Sequence, residues 1–157
     1  MPKSATAADA QVILQLYDLR REAEMRKARS WWFVSFWPQS ADDFMKVVNE
    51  VGMPENAWLR QVIGYWDLAA ALALSGAVNQ ELFLVPSFSG EMFTVFAKVR
   101  PFLAELRKRM GNPELLANIE TLINSSKKGR ERLKQIEVRL AARRKLMMEA
   151  AASAKAS

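Results

Sequence analysis

The chain has 157 residues, half of them apolar and a quarter charged, with a formal net charge of +6 and neither cysteine nor histidine. This length suits one globular domain with a buried core. Without cysteine or histidine there is no disulfide, no thiolate or imidazole group for catalysis, and no histidine ligand for zinc or haem. We therefore expect a protein that is not an enzyme and that holds no metal and no cofactor.

The N-terminus and the apolar runs both bear on location. Residues 1–6 lack the apolar stretch of a signal peptide. The longest apolar run, residues 68–78, is interrupted by Ser75 and Gly76 and is far shorter than the ~20 residues that cross a bilayer. We expect this run to form a buried helix of a cytoplasmic protein that has no transmembrane segment.

Capping residues, glycines and prolines mark the helix boundaries. The residues that predict helix starts are Thr6, Ser40, Pro54, Asn79, Ser87 or Ser89, and Pro113. Those that predict helix ends are Pro38, Gly52, Gly76 and Gly111. The first helix is then a long one, from about Ala7 to Phe36, whereas Pro101 should kink or split the fifth helix near Arg100.

No segment shows sustained alternation of apolar and polar residues. We predict an all-α fold, a bundle of about five to six helices in residues 1–126 followed by a basic amphipathic helical tail in residues 127–157. Because the predicted core ends at Ile123, we expect the domain to fold without residues 128–157.

Positive charge is concentrated in the tail. Residues 127–157 hold ten basic and three acidic residues, a net of +7, and residues 1–126 hold 13 and 14, a net of −1, which together give the +6 of the chain. A heptad seam with Arg143 at its polar position is formed by Leu133, Ile136, Leu140 and Met147. The basic residues beside it are Lys128, Arg132, Arg139 and Arg144. Such a helix packs on its own domain or on a second copy, or binds nucleic-acid phosphates, anionic membranes or acidic proteins.

Five aromatic side chains fall within residues 31–37, namely Trp31, Trp32, Phe33, Phe36 and Trp37. At ~100° per residue they surround the helix axis, so this segment is either buried on most sides or forms a contact surface. Core packing is the first interpretation. A protein contact, an apolar ligand pocket and, given the basic run in residues 26–29, an interfacial membrane anchor are the alternatives.

Asp67 lies in the middle of a predicted apolar helix, between Tyr65-Trp66 and an alanine-leucine run. A partly buried carboxylate needs a partner, and we predict either a buried ion pair, for which Arg29 or Arg100 would serve, or a hydrogen-bonded aspartate. A ligand-binding or catalytic role, with Tyr65 or an arginine beside it, is the alternative.

Three stretches carry a resemblance to a known group of proteins. They are residues 16–21 with Ala28-Arg29, residues 65–82, and residues 101–107 with Asn112-Pro113 and Glu120. Together they resemble an uncharacterised bacterial family of small all-helical proteins, over roughly residues 12–123. The resemblance implies the helical fold, and because that family has no assigned activity it implies no catalytic residue.

We expect a non-catalytic interaction module that forms a homo-oligomer or binds a protein partner. The candidate contact residues are Trp31, Trp32 and Trp37 of the aromatic stretch and Lys128, Arg132, Arg139, Arg143 and Arg144 of the tail. A nucleic-acid-binding protein that contacts phosphates through the tail is the alternative.

Overall fold

Helices form all the regular secondary structure of the computed structural model, which describes residues 3–157 and has no β-strand within them. In chain order they are α1 (Ala7–Leu19), α2 (Ala23–Ser30), α3 (Ala41–Asn49), α4 (Pro54–Leu74), α5 (Gln80–Phe83), α6 (Pro86–Val99), α7 (Leu103–Met110), α8 (Ala117–Asn124) and α9 (Lys127–Ala156). A π-helical turn at Trp31–Ser35 follows α2, and a 3₁₀ turn at Arg100–Phe102 precedes α7. The predicted all-α fold class is confirmed.

Most of the predicted helix boundaries are formed by the expected side chains. Thr6 and Asp9 form a reciprocal capping box at the start of α1, and the side chains of Ser40 and Asn79 accept from the backbone N–H three residues ahead. The glycines with left-handed backbone that follow α3, α4 and α7 are Gly52, Gly76 and Gly111. These boundaries depend on local chemistry, which is why the sequence predicts them.

The predicted long N-terminal helix was wrong, because the chain breaks at residues 20–22. The carboxylate of Glu22 accepts from the backbone N–H of Met25 and starts α2 as a new helix. Arg20 is 5% exposed and its guanidinium donates to the carbonyl of Phe88 on α6. A long-range contact of a buried arginine therefore fixes the chain at this break.

Two later helix starts also differ from the prediction. α6 begins at Pro86 without a side-chain cap, and Ser89 is fully buried and donates to the carbonyl of Val85. α8 begins at Ala117 rather than near Pro113, after Leu116 adopts a left-handed backbone with φ of 57°. The chain is thus divided into more and shorter helices than the five to six predicted, and the 3₁₀ turn at Pro101 is the expected interruption.

Large apolar side chains fill the core. α4 packs against α2, α3 and α8, and α6 packs against α8 and α9. The fully buried aromatic side chains are Trp32, Phe44, Trp66, Phe83 and Phe93. Leu133 of α9 is only 4% exposed, so the expectation that the core ends at Ile123 was wrong. No helix in residues 3–157 has the length and hydropathy of a membrane span.

Candidate functional site

The aromatic stretch turns one side to the core and the other to the C-terminal helix. Trp32 is fully buried and Phe36 is 7% exposed. Trp31 is half-buried and stacks on Phe36, with ring centroids 4.5 Å apart, while its ring lies 6.3 Å from that of Trp58. The structure thus places Trp31 and Trp32 in or against the core.

Trp37 contacts Lys98, a buried lysine of α6 that the sequence analysis did not single out. Lys98 is 2% exposed, and its Nζ donates to the carbonyls of Trp32, at 2.5 Å, and Phe36, at 2.9 Å. The same Nζ lies 3.9 Å from the ring centroid of Trp37. The carbonyl of Trp32 is free because the backbone N–H of Phe36 bonds to Trp31 instead, and the carbonyl of Phe36 is free because the helical turn ends at Ser35. The lysine satisfies both.

The ammonium of Lys98 is held next to two other cations. Arg143 and Arg144 of α9 each place a guanidinium 6.0 Å from the ring centroid of Trp37. Burial, together with the charges of both arginines, lowers the pKa of Lys98 to about 7, and burial is the largest cause. No carboxylate in residues 3–157 forms an ion pair with Lys98. The aromatic stretch and the basic tail, which are far apart in sequence, therefore meet at Trp37.

Two of the predicted tail residues anchor α9 to the domain. Arg132 donates to the carbonyl of Leu84 at 2.6 Å and covers the ring of Phe93 at 4.3 Å. Arg144 donates to the carbonyl of Pro38 at 3.2 Å. Their guanidinium groups are therefore used within the chain.

The other predicted tail residues remain exposed. Lys128, Arg139 and Arg143 make no side-chain hydrogen bond or ion pair in the described part of the chain. Spacings of 11 and 4 residues put all three along one side of α9. Arg139 and Arg143 also border a cleft of about 260 Å³ whose other walls include Trp37 and Lys98. The arrangement can attract an anion.

Residues 145–157, here termed the free end of α9, are exposed throughout. Leu133, Ile136 and Leu140 of the predicted seam pack on the core, whereas Met147 is 39% exposed. Its neighbours Leu146 and Met148 are 65% and 62% exposed. At 1.5 Å per residue, the helical part of the free end is about 18 Å long. The seam therefore packs against the chain's own domain as far as Leu140, and beyond Arg144 the helix continues with all its residues exposed.

Of the two predicted arrangements of Asp67, the structure has the hydrogen-bonded aspartate, and the ion pair with Arg29 or Arg100 was wrong. Arg29 pairs with Glu91 at 2.5 Å, and Arg100 pairs with Glu137 at 2.6 Å. The carboxylate of Asp67 instead accepts from the first turn of α8, from the backbone N–H of Asn118 and Ile119 and from the side chain of Asn118. Tyr65, the suggested neighbour in catalysis, donates to the carbonyl of Leu16. Each of these groups has a structural partner.

A family model whose description is Domain of unknown function (DUF4760) matches residues 5–126. The matched range contains the aromatic stretch and Lys98, and it ends immediately before α9. Neither the curated proteins nor the solved structures that were compared with the chain gave a match.

Proposed function

The chain belongs to the family described as Domain of unknown function (DUF4760), and from this premise we propose that it is a non-catalytic interaction module that pairs with a second copy of itself through the free end of α9. The observation that carries the proposal is the exposure of three successive large apolar side chains, Leu146, Met147 and Met148, on a helix that the domain holds in place. Exposed apolar patches on soluble proteins mark interaction sites when they are large and contiguous, as they become when a second helix lies along these residues.

The anchoring of α9 favours a binding role for its free end. A helix of about twelve residues is marginal in water when it is isolated. Here it extends a longer helix that Arg132, Leu133 and Arg144 fix to the domain, so the cost of starting the helix does not fall on the free end. A partner that binds it does not have to order it first.

Small side chains continue the seam of Met147 into the free end. Ala150 and Ala154 follow Met147 at heptad spacings of three and four residues, and their small side chains allow close approach of two helices. Lys145 and Glu149 lie on the other side of the helix and pair with each other within one copy at 4.0 Å. The free end thus offers a second copy a contact surface without charged side chains.

Sedimentation and light scattering of the full chain test this proposal. We expect a dimer that persists at high salt, because an apolar contact is little screened. Leu146→Gln together with Met147→Gln should give a monomer with unchanged circular dichroism. Val138→Gln is the matched control, since Val138 is 70% exposed but lies on the anchored part of α9. A wild-type chain that stays monomeric at every concentration contradicts the proposal.

A second candidate function is binding of nucleic-acid phosphates, favoured by the exposed row formed by Lys128, Arg139 and Arg143. Binding of this kind weakens steeply between ~50 and ~200 mM salt, because counterions are released from the phosphates. Fluorescence anisotropy with labelled DNA and RNA measures it. Arg139→Gln with Arg143→Gln should abolish binding, whereas the control, Arg21→Gln with Lys108→Gln, removes the same charge elsewhere and should not. Equal binding by the two variants contradicts this candidate.

A further inference from the structure

An apolar cleft of about 500 Å³ opens between α3, α4 and α7, on elements that do not include α9. Its apolar walls include Phe44, Val48, Leu59, Ile63, Met110 and Leu115. This volume lies within the range of small-molecule sites, about 300 to 1,000 Å³.

Gly64 lies in the middle of α4 and borders this cleft. Glycine is the least favourable helix residue after proline, so a glycine inside a helix calls for a reason. A Cβ built at Gly64 meets no atom within 4 Å, and its φ lies outside the left-handed region. Neither packing nor backbone conformation within the chain requires glycine here. Because Gly64 has no side chain, the space beside it in the cleft stays open.

Among residues 3–157, Arg60 is the one charged residue that borders the cleft, and it is held in position by Asn56. Asn56 is 3% exposed, and its Nδ2 donates to the carbonyls of Val47 and Val48. Its Oδ1 accepts from Nε and Nη2 of Arg60, at 3.1 and 2.9 Å. Nη1 of Arg60 has no hydrogen-bond acceptor in residues 3–157. The cleft therefore combines apolar walls with one oriented cationic donor.

We propose that this cleft binds a small molecule that has an apolar chain and one carboxylate. The chain lies between α3, α4 and α7 in the space beside Gly64, and the carboxylate accepts a hydrogen bond from Nη1 of Arg60. Asn56 acts as a positioning residue, because its Oδ1 orients the guanidinium of Arg60. The site is separate from the free end of α9 and does not depend on the association proposed above.

Calorimetric titration with octanoate and with octan-1-ol as an uncharged probe tests the proposal on the full chain. The wild type should bind both probes, and octanoate more tightly. Arg60→Gln should weaken octanoate binding by about tenfold or more, since it removes a charge-assisted hydrogen bond, and leave octan-1-ol binding unchanged.

A second variant tests the space beside Gly64. Gly64→Leu should weaken binding of both probes by about tenfold or more while keeping or raising the melting temperature, because leucine favours the helix. Gln61→Leu adds the same side chain to an exposed position of α4 outside the cleft and should change neither affinity.

Three results overturn the proposal. The first is that the wild type does not bind octanoate, and the second is that the wild type and Gly64→Leu bind it equally. The third is that no octanoate binds and Gly64→Leu dissociates an oligomer, which would make the cleft a contact between copies. If Gly64→Leu does not fold, the response of Arg60→Gln to the two probes decides the question.

Discussion

Asp67 of α4 accepts two hydrogen bonds from Asn118 of α8, one from its backbone N–H at 3.1 Å and one from its side-chain Nδ2 at 2.8 Å. The backbone N–H of Ile119 donates to the same carboxylate at 3.2 Å. α8 has no side-chain cap of its own, because the residue before it, Leu116, has an apolar side chain that cannot accept a hydrogen bond. Asp67 therefore caps α8 from a neighbouring helix, and its charge faces the positive end of the helix dipole.

Replacing Asp67 should destabilise the protein through the loss of this cap. We expect Asp67→Ala to lower the free energy of unfolding by about 1 to 2 kcal/mol, the range of N-cap deletions. Asp67→Asn keeps one acceptor oxygen and should lose less. Urea denaturation of the three proteins measures both effects, and equal midpoints for the wild type and Asp67→Ala would show that the carboxylate does not stabilise α8.

The contacts of Asp67 show which features the sequence could predict. Thr6, Ser40 and Asn79 cap helices through bonds to residues three positions away, so a local pattern reports them. The bonds of Asp67 to Asn118 span 51 residues and exist only because α4 and α8 pack together. The sequence around Asp67 does not indicate whether its partner is the start of a distant helix or an arginine.

Lys98 illustrates the same limit at the candidate site. It is the one charge among the apolar residues from Met92 to Val99, a pattern from which a buried lysine could have been predicted. Its acceptors could not, because the carbonyl of Trp32 is freed by the π-helical turn and that of Phe36 by the end of this turn.

Lys98 should also make stability depend on pH above neutrality. Its pKa is about 7 in the folded chain against an ordinary value of 10.5, so between these values the unfolded chain binds a proton that the folded chain does not. The free energy of unfolding should therefore rise as the pH is raised from about 7 to about 9. The groups that face Lys98 are Arg143 and Arg144 of α9, and backbone carbonyls and aromatic rings of the segment 32–37.

The variant Lys98→Met isolates this effect, because the chain has no histidine or cysteine to titrate in the same range. We expect the rise in unfolding free energy between about pH 7 and 9 to be absent or much smaller in the variant. Denaturant titrations at several pH values measure the slope. Parallel curves for the two proteins would show that Lys98 stays protonated in the folded state.

Gly129 should respond to substitution in the opposite way to Gly64. A Cβ at Gly129, in the first turn of α9, would lie 2.3 Å from the carbonyl oxygen of Ile123. Gly129→Ala should therefore cost about 1 to 3 kcal/mol, as overpacking does, whereas Gly64→Ala should stabilise by about 0.5 to 1 kcal/mol. Thermal denaturation of both variants measures the difference, and a gain in stability at both sites would contradict the close approach of α8 and α9.

Two truncations should separate the structural part of α9 from its free end. Deletion of residues 145–157 removes only exposed residues and leaves Leu133, Arg132 and Arg144 in place, so the melting temperature should hardly change. Deletion of residues 128–157 also removes the buried Leu133 and uncovers Phe93 on α6, so it should cost at least the ~2 to 5 kcal/mol of a large-to-small core substitution.

Circular dichroism melts and sedimentation on the same samples read out stability and association together. The shorter deletion should give a stable monomer, because it removes Leu146, Met147 and Met148 but no core residue. The longer deletion should give a chain that unfolds at lower temperature or without a cooperative transition. A longer deletion as stable as the wild type would show that α9 is a dispensable appendage, and a shorter deletion that stays dimeric would move the contact between copies away from the free end.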